Sequence, residues 1–226
     1  MRAPSVVGLL VLLPALSLGT GAGSLAAQSA GHDHDPDKAV QGGGAVPAGW
    51  SARADEGGTA NAKVVPMGKG MHITLGPAII LYRPGTAGSG PFHTLATFTQ
   101  TRKPSHPEGY GLFFGGQGLD AAGEKYTYFL VRGDGTFLVK RRDGTNTSEI
   151  TKGWVASPAV HKADANGAAT NLLEIDHKRD PSKYVFMVNG QAVYTIDAKD
   201  ANADGIVGLR VNHNLDVHLD GFDVHR

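Results

Sequence analysis

From Trp50 onward, apolar residues recur at every second position in short runs, and no stretch keeps helical spacing for three turns. Period-2 alternation with one face apolar is the pattern of a half-buried β-strand, so the chain reads as all-β. It predicts strands over 71–75, 79–82, 93–101, 110–114, 126–132, 136–142, 172–177, 184–188, 191–196, 207–211 and 215–224. Gly133-Asp134-Gly135 and Asn189-Gly190 sit between alternating runs and supply the positive φ of tight hairpin turns. Residues 156–171 carry Ala, Asp, Asn and Gly without alternation and read as a surface loop. In the final run Leu215, Val217 and Leu219 share a face predicted to be core, while Asp216, His218 and Asp220 share the other. Gly221 then allows a bulge that returns Phe222 and Val224 to the inner side. This many strands with no helices between them exclude a parallel sheet with crossover helices and predict two packed antiparallel sheets.

Composition supports one core: 226 residues are 41% hydrophobic, and 32 Gly with 12 Pro suit many tight turns. Lys+Arg and Asp+Glu balance at 21 each, which gives no electrostatic footing for a nucleic-acid binder. There are no cysteines, so thiol catalysis, cysteine-ligated zinc and disulfide staples are excluded.

The first residues read differently. Arg2, the apolar run 6–18 and the small residues Ser24-Leu25-Ala26-Ala27 form the pattern of a secretory signal peptide over 1–27. The expectation is a bacterial protein exported to the periplasm or medium, without a permanent membrane anchor, since the apolar run is too short to span a bilayer. Residues 28–49, with His32-Asp33-His34-Asp35 and Gly42-Gly43-Gly44, read as a flexible leader ahead of a single domain over 50–226. Alternating His and Asp in that leader are competent transition-metal ligands.

The segments Tyr110-Gly111-Leu112-Phe113-Phe114, Tyr126-Thr127-Tyr128-Phe129-Leu130-Val131 and Gly135-Thr136-Phe137-Leu138-Val139 carry a resemblance. With the closing block from Asn171 through Asn189-Gly190 to Phe222-Asp223-Val224, they resemble the concanavalin A-like lectin/glucanase superfamily over Trp50 to Val224. That resemblance implies a jelly-roll sandwich and includes laminin G-like domains. It implies three outcomes: a non-catalytic glycan-binding module, a glycoside-cleaving enzyme, or a protein-interaction domain. Glu174-Ile175-Asp176 matches the start of the glucanase Glu-x-Asp-x-Glu motif, but His177 and Lys178 follow where the third carboxylate would be reached. The protein is also similar to exported 3-keto-disaccharide hydrolases. Gly111-Leu112-Phe113-Phe114 matches their Gly-x-Phe-Phe-Arg segment until Gly115 replaces the arginine.

The reading favoured by the residues is a binding domain without catalytic residues, its ligand a carbohydrate or another polar molecule on a concave sheet face. By strand parity Tyr126, Tyr128, Arg132, Arg210 and Asn212 are predicted to line one groove with Asp216 and His218, combining aromatic faces with hydrogen-bonding groups. No cofactor is required. Asp200, Asn202 and Asp204, at alternate positions before Gly205, offer oxygen ligands in the spacing of a calcium loop, although an EF-hand's twelfth-position glutamate is replaced by Val211. No Gly-rich phosphate loop and no Gly-x-Ser-x-Gly elbow occurs.

Overall fold

The computed structural model describes Met1 and residues 36–226. The chain divides into two units, 1–34 and 35–226, and the strands belong to the second. The expected signal segment and the His32 to Asp35 cluster lie outside the described residues.

Among the described residues fifteen strands follow in order, joined by turns and three short 3₁₀ segments. They are β1 Ser51–Ala54, β2 Ala62–Met67, β3 Gly70–Leu75, β4 Ile79–Tyr82, β5 His93–Gln100, β6 Gly109–Gln117, β7 Lys125–Arg132 and β8 Thr136–Asp143. After them come β9 Asn146–Glu149, β10 Val155–Ala156, β11 Ala169–Asp176, β12 Lys183–Val188, β13 Gln191–Asp197, β14 Ile206–Val211 and β15 Asp216–His225. Sheet A has the order β1-β4-β14-β6-β7-β8-β10, with β9 also on β8; sheet B has the order β13-β12-β11-β5-β15-β3-β2. All the ladders are antiparallel. This is the expected two-sheet antiparallel sandwich. Among the described residues no helix is long and apolar enough to cross a membrane.

The alternation that marked the strands also fills the core. Phe98 of β5 meets Tyr110 of β6 at 5.6 Å between ring centroids, Phe114 meets Tyr184 at 4.6 Å, and Phe129 meets Phe186 at 5.2 Å, so aromatic rings from both sheets interlock. Leu215, Val217 and Leu219 are buried in this core as predicted. The register of β15 against β5 slips between Asp220 and Asp223, and Phe222 and Val224 pack back against the core beyond that bulge. Asn189 and Gly190 take φ of 50° and 77°, the two left-handed positions that let a two-residue turn follow the twist of β12 and β13.

Sheet A is apolar on its outer face as well. Ile80, Tyr82, Phe113, Tyr126, Tyr128 and Leu130 alternate with core residues along their strands and form a second buried cluster with Leu119, against which Trp154 and Ile206 pack. Gly208 makes this possible: a Cβ there would stand 2.6 Å from the Phe113 ring, which lies across its backbone.

The segment from Pro36 to Gly49 is not the free leader its composition suggests. Lys38 N donates to Asn214 Oδ1 at 2.8 Å, Asn214 Nδ2 donates to Pro36 O at 3.1 Å, and Gly44 N donates to Ala62 O at 2.9 Å. Backbone groups bonded to β2 and to the β14–β15 turn give a Gly-rich stretch a fixed path that hydropathy does not reveal.

Candidate functional site

The outer face of sheet A gathers five of the residues predicted from the sequence. Arg210 on β14 aims at Asp55, just beyond β1, with Nη1 to Oδ1 at 2.5 Å and Nη2 to Oδ2 at 2.6 Å, a bidentate pair. The guanidinium also donates to Tyr126 Oη at 3.4 Å and lies 5.8 Å from the centre of the Tyr128 ring. Asp55 takes a second guanidinium, Arg142 Nη1, at 3.1 Å. Arg142 Nε reaches Glu124 at 2.6 Å, and Glu124 in turn pairs with Arg53. Three guanidiniums and two carboxylates therefore alternate as Arg53, Glu124, Arg142, Asp55 and Arg210.

Burial alone would push the Asp55 carboxyl up; the Arg210 charge and hydrogen bonds, with Arg142, outweigh it and hold the group below its ordinary value. Burial works against the charge on Arg210 too, yet Tyr126 and Asp55 raise its pKa above the usual arginine value. Desolvation pushes Tyr128 up to about 12 and raises Tyr126 as well. Both phenols are thus neutral hydrogen-bonding groups at ordinary pH.

Tyr126, Tyr128 and Arg210 are 3%, 7% and 6% exposed, so the two tyrosines form the wall of a second core rather than an open stacking platform. The physical reason is the cover of Leu119 and Trp154, contributed by loops with no alternating pattern of their own. Asn212 continues the face, donating to Glu108 at 3.1 Å.

The more open part of the face lies around Arg132 and Trp154. The Arg132 guanidinium stands 4.4 Å from the centre of the Trp154 ring, and its Nε donates to Asp134 Oδ2 at 2.7 Å and to Thr136 Oγ1 at 3.0 Å. Asp134 Oδ1 in turn accepts from Thr136 N and Oγ1. The Gly-Asp-Gly turn seen in the sequence thus fixes an arginine, and through it an indole that is half-buried. Asp55, Glu124, Arg142 and Trp154 were not singled out by the sequence; only the scarcity of tryptophan, two in the chain, could have drawn attention to Trp154.

Asp216 and His218 do not join this groove. β15 lies in sheet B between β5 and β3, whereas β7 and β14 belong to sheet A, so strand parity placed side chains on matching faces of different sheets. On the outer face of sheet B, Asp216 is buried by His72 at 2.8 Å, Thr101 at 2.5 Å and Arg102 at 3.3 Å, and His218 sits 3.0 Å from Asp220. His72 and His218 stack across the strand pair at 6.3 Å. Glu174 and Asp176 belong to this sheet too. Glu174 lies 3.0 Å from His93, and Asp176 Oδ1 accepts from the Lys178 and Arg179 amides at 3.0 Å each.

In the Asp200 to Asp204 loop the Asn202 and Asp204 side-chain oxygens serve the protein's own amides. Asn202 Oδ1 accepts from Asp204 N at 2.9 Å, and Asp204 Oδ1 accepts from Gly90 N at 3.3 Å. The Asp200 carbonyl receives the Arg141 guanidinium. Among the described residues no three His, Asp or Glu side chains come together as a group able to hold a metal ion.

No protein-family model matches the chain, and no curated protein matches it. Solved structures do. Carbohydrate binding module CBM66 from Bacillus subtilis superposes with a TM-score of 0.58 at 14% identity, over 79% of this chain and 96% of that one. The Emp47p carbohydrate recognition domain superposes with a TM-score of 0.50 at 10% identity, over 84% of this chain and 93% of that one. At these identities the likeness establishes the jelly-roll fold.

Proposed function

We propose that this domain binds carbohydrate on the outer face of sheet A, with Trp154 as the aromatic contact and Arg132 and Asp134 as hydrogen-bonding partners for sugar hydroxyls. The observation that carries this reading is the indole fixed by a guanidinium, itself fixed by a carboxylate in a tight turn. A rigid, amphipathic aromatic beside polar groups held in place is the chemistry that recognises a sugar ring, apolar on its C–H faces and polar at its rim. The two fold neighbours with a carbohydrate-binding description support it. Tyr126, Tyr128 and Arg210 act beneath the surface, keeping this face rigid, and Asn212 and Glu108 extend its polar rim. The domain acts outside the cytoplasm, the setting expected from its first 27 residues, and needs no metal for this contact.

The test is isothermal titration calorimetry and affinity electrophoresis against a polysaccharide panel. Binding by the unaltered protein should fall about tenfold or more in Trp154→Ala, the cost of losing a central aromatic contact. Absence of binding to every glycan, or unchanged affinity in that variant at an unchanged melting temperature, would overturn the reading.

A further inference from the structure

At one end of the sandwich, where β5 and the β7–β8 turn meet the 163–167 loop, a cleft of about 280 Å³ opens between Pro104, Pro107, Ala163 and the carboxylates Asp134 and Asp164. Gln100, the last residue of β5, lines its inner end and is 2% exposed. Its Nε2 donates to Gly167 O at 2.6 Å, which fixes the amide's orientation because a carbonyl can only accept. Gln100 Oε1 is thereby an acceptor, and it has no hydrogen-bond partner among the described residues. A buried amide oxygen left unpaired is costly, and the cost is recovered when a donor arrives.

The approach to that oxygen passes Gly133. A Cβ at this position would stand 3.1 Å from Gln100 Nε2, 3.3 Å from Oε1 and 3.0 Å from the Ala163 methyl. The turn backbone therefore packs closely over the amide, and because Gly133 adds no side chain, a donor reaches it once the turn and the 163–167 loop part at a single backbone contact, the Ala163 N to Gly133 O hydrogen bond of 2.8 Å. Further acceptors wait at the mouth. Asp164 uses Oδ1 for the Asn166 and Ala168 amides, at 2.8 and 2.9 Å, and Oδ2 takes no partner among the described residues.

We propose that this cleft is a subsite for a single neutral sugar ring, one hydroxyl of which donates to Gln100 Oε1. The volume falls just below the usual range for a drug-sized ligand and suits one ring rather than a chain. The lining supplies acceptors for hydroxyl donors, a lysine, Lys103, as donor, and prolines and alanines for the C–H faces. Asp134 belongs both to the cleft and to the Arg132–Trp154 arrangement, so the subsite is continuous with the proposed binding face and rests on that reading.

The experiment is a residue-resolved NMR titration of the protein with a panel of neutral methyl glycosides, followed by affinity measurements on three variants. The Gln100 side-chain amide and the Gly133, Ala163 and Gly167 backbone amides should shift on saturation. Ala165→Trp, which fills the cleft, and Gly133→Ala, which sets a methyl group against the Gln100 amide, should each weaken methyl glycoside binding about tenfold or more, equivalent to about 1.4 kcal/mol. Lys63→Ala, at an exposed position of the edge strand β2 that does not line the cleft, should leave it within about twofold. If the shifts map to the Trp154 indole alone, or both cleft variants bind as the unaltered protein does, the subsite is refuted while carbohydrate binding on sheet A stands. If no glycan, simple or polymeric, moves any signal, both readings fall. Gly133→Ala adds one methyl group, so it keeps the test decisive should Ala165→Trp fail to fold.

Discussion

Removing Asp55 should expose how much of sheet A's outer face depends on one carboxylate. In Asp55→Ala the Arg210 guanidinium loses both bonds of its bidentate pair, and Arg142 loses the bond at 3.1 Å. Arg210 is left buried and positively charged with neutral partners alone, the Tyr126 phenol, the Asn212 amide oxygen at 3.2 Å and an aromatic face. Breaking a buried ion pair from one side costs about 3–5 kcal/mol; because the Asp55 side chain is itself 26% exposed, the lower end applies, about 3 kcal/mol. For a domain of this size that corresponds to a fall in melting temperature of roughly 6–12 °C.

Removing the stranded charge should reverse most of the loss. In Asp55→Ala combined with Arg210→Met, no buried guanidinium is left without a carboxylate, because Arg142 keeps Glu124, and the Met side chain refills the space of the arginine stem, so stability should return to within about 1 kcal/mol of the unaltered protein. Acidity gives a second handle. The folded-state pKa of Asp55 lies below the ordinary aspartate value of 3.8, so its contribution is fully present above that pH and is lost as pH falls through the folded value. The difference between Asp55→Ala and the unaltered protein should therefore be constant at neutral pH and shrink below about pH 4. Differential scanning calorimetry and urea titration across pH measure all three quantities. A melting shift under about 2 °C for the single variant, or a double variant no more stable than the single one, would refute the electrostatic account of this face.

Three further perturbations probe other parts of the sandwich. Burial pushes Tyr110, Tyr128 and Tyr184 up to about 12 and raises Tyr82 and Tyr126 as well, so absorbance at alkaline pH should show phenolate forming later in the folded protein than in the unfolded chain. Since the unfolded chain releases those protons first, stability should fall as pH climbs from about 10 through about 12. Gly208→Val would force a branched side chain against Leu81 O and the Phe113 ring, each 2.6 Å from the Cβ position, and should cost about 3 kcal/mol or more by urea titration. Asn171→Leu would strip the partners of His161 N at 2.8 Å and Asn189 Nδ2 at 3.0 Å from a site with no exposure, and should destabilise by about 2–3 kcal/mol.

The sheet architecture was legible because alternation is a local consequence of which face meets the core. All eleven strands read from the sequence occur, most within a residue or two of their expected limits. The strands not foreseen are those whose side chains report no such face. β1 reads Ser-Ala-Arg-Ala, β9 is exposed throughout, β10 has two residues, and the edge strand β2 carries Pro66. The site was harder to read for a different reason. Strand parity says which side of its own sheet a residue occupies, and nothing about which sheet that is. Tyr126, Tyr128 and Arg210 were brought together correctly, while Asp216 and His218 were assigned to them across the sandwich. The burial of the tyrosines was hidden because Leu119, Asp55 and Trp154 come from irregular segments, where no periodicity announces that a side chain will fold back over a sheet.

β15 occupies the middle of sheet B although it is synthesised after every strand it joins. It pairs with β3 on one side and β5 on the other, and the Thr74–Asp216 contact that accompanies this insertion spans 142 positions of sequence. Before β15 emerges, β2 and β3 make a lone hairpin, and β5 offers a bare row of amides and carbonyls where its neighbour will come. Such rows invite pairing with other chains, and long loops must close before the last strand repays them. The nascent protein thus passes through a period in which half of its later interior is an open template. Its yield on refolding should depend on dilution more steeply than its equilibrium stability would suggest, and a synthetic peptide of residues 216–225 added in trans should trap the two halves of sheet B before they can associate with the wrong partner.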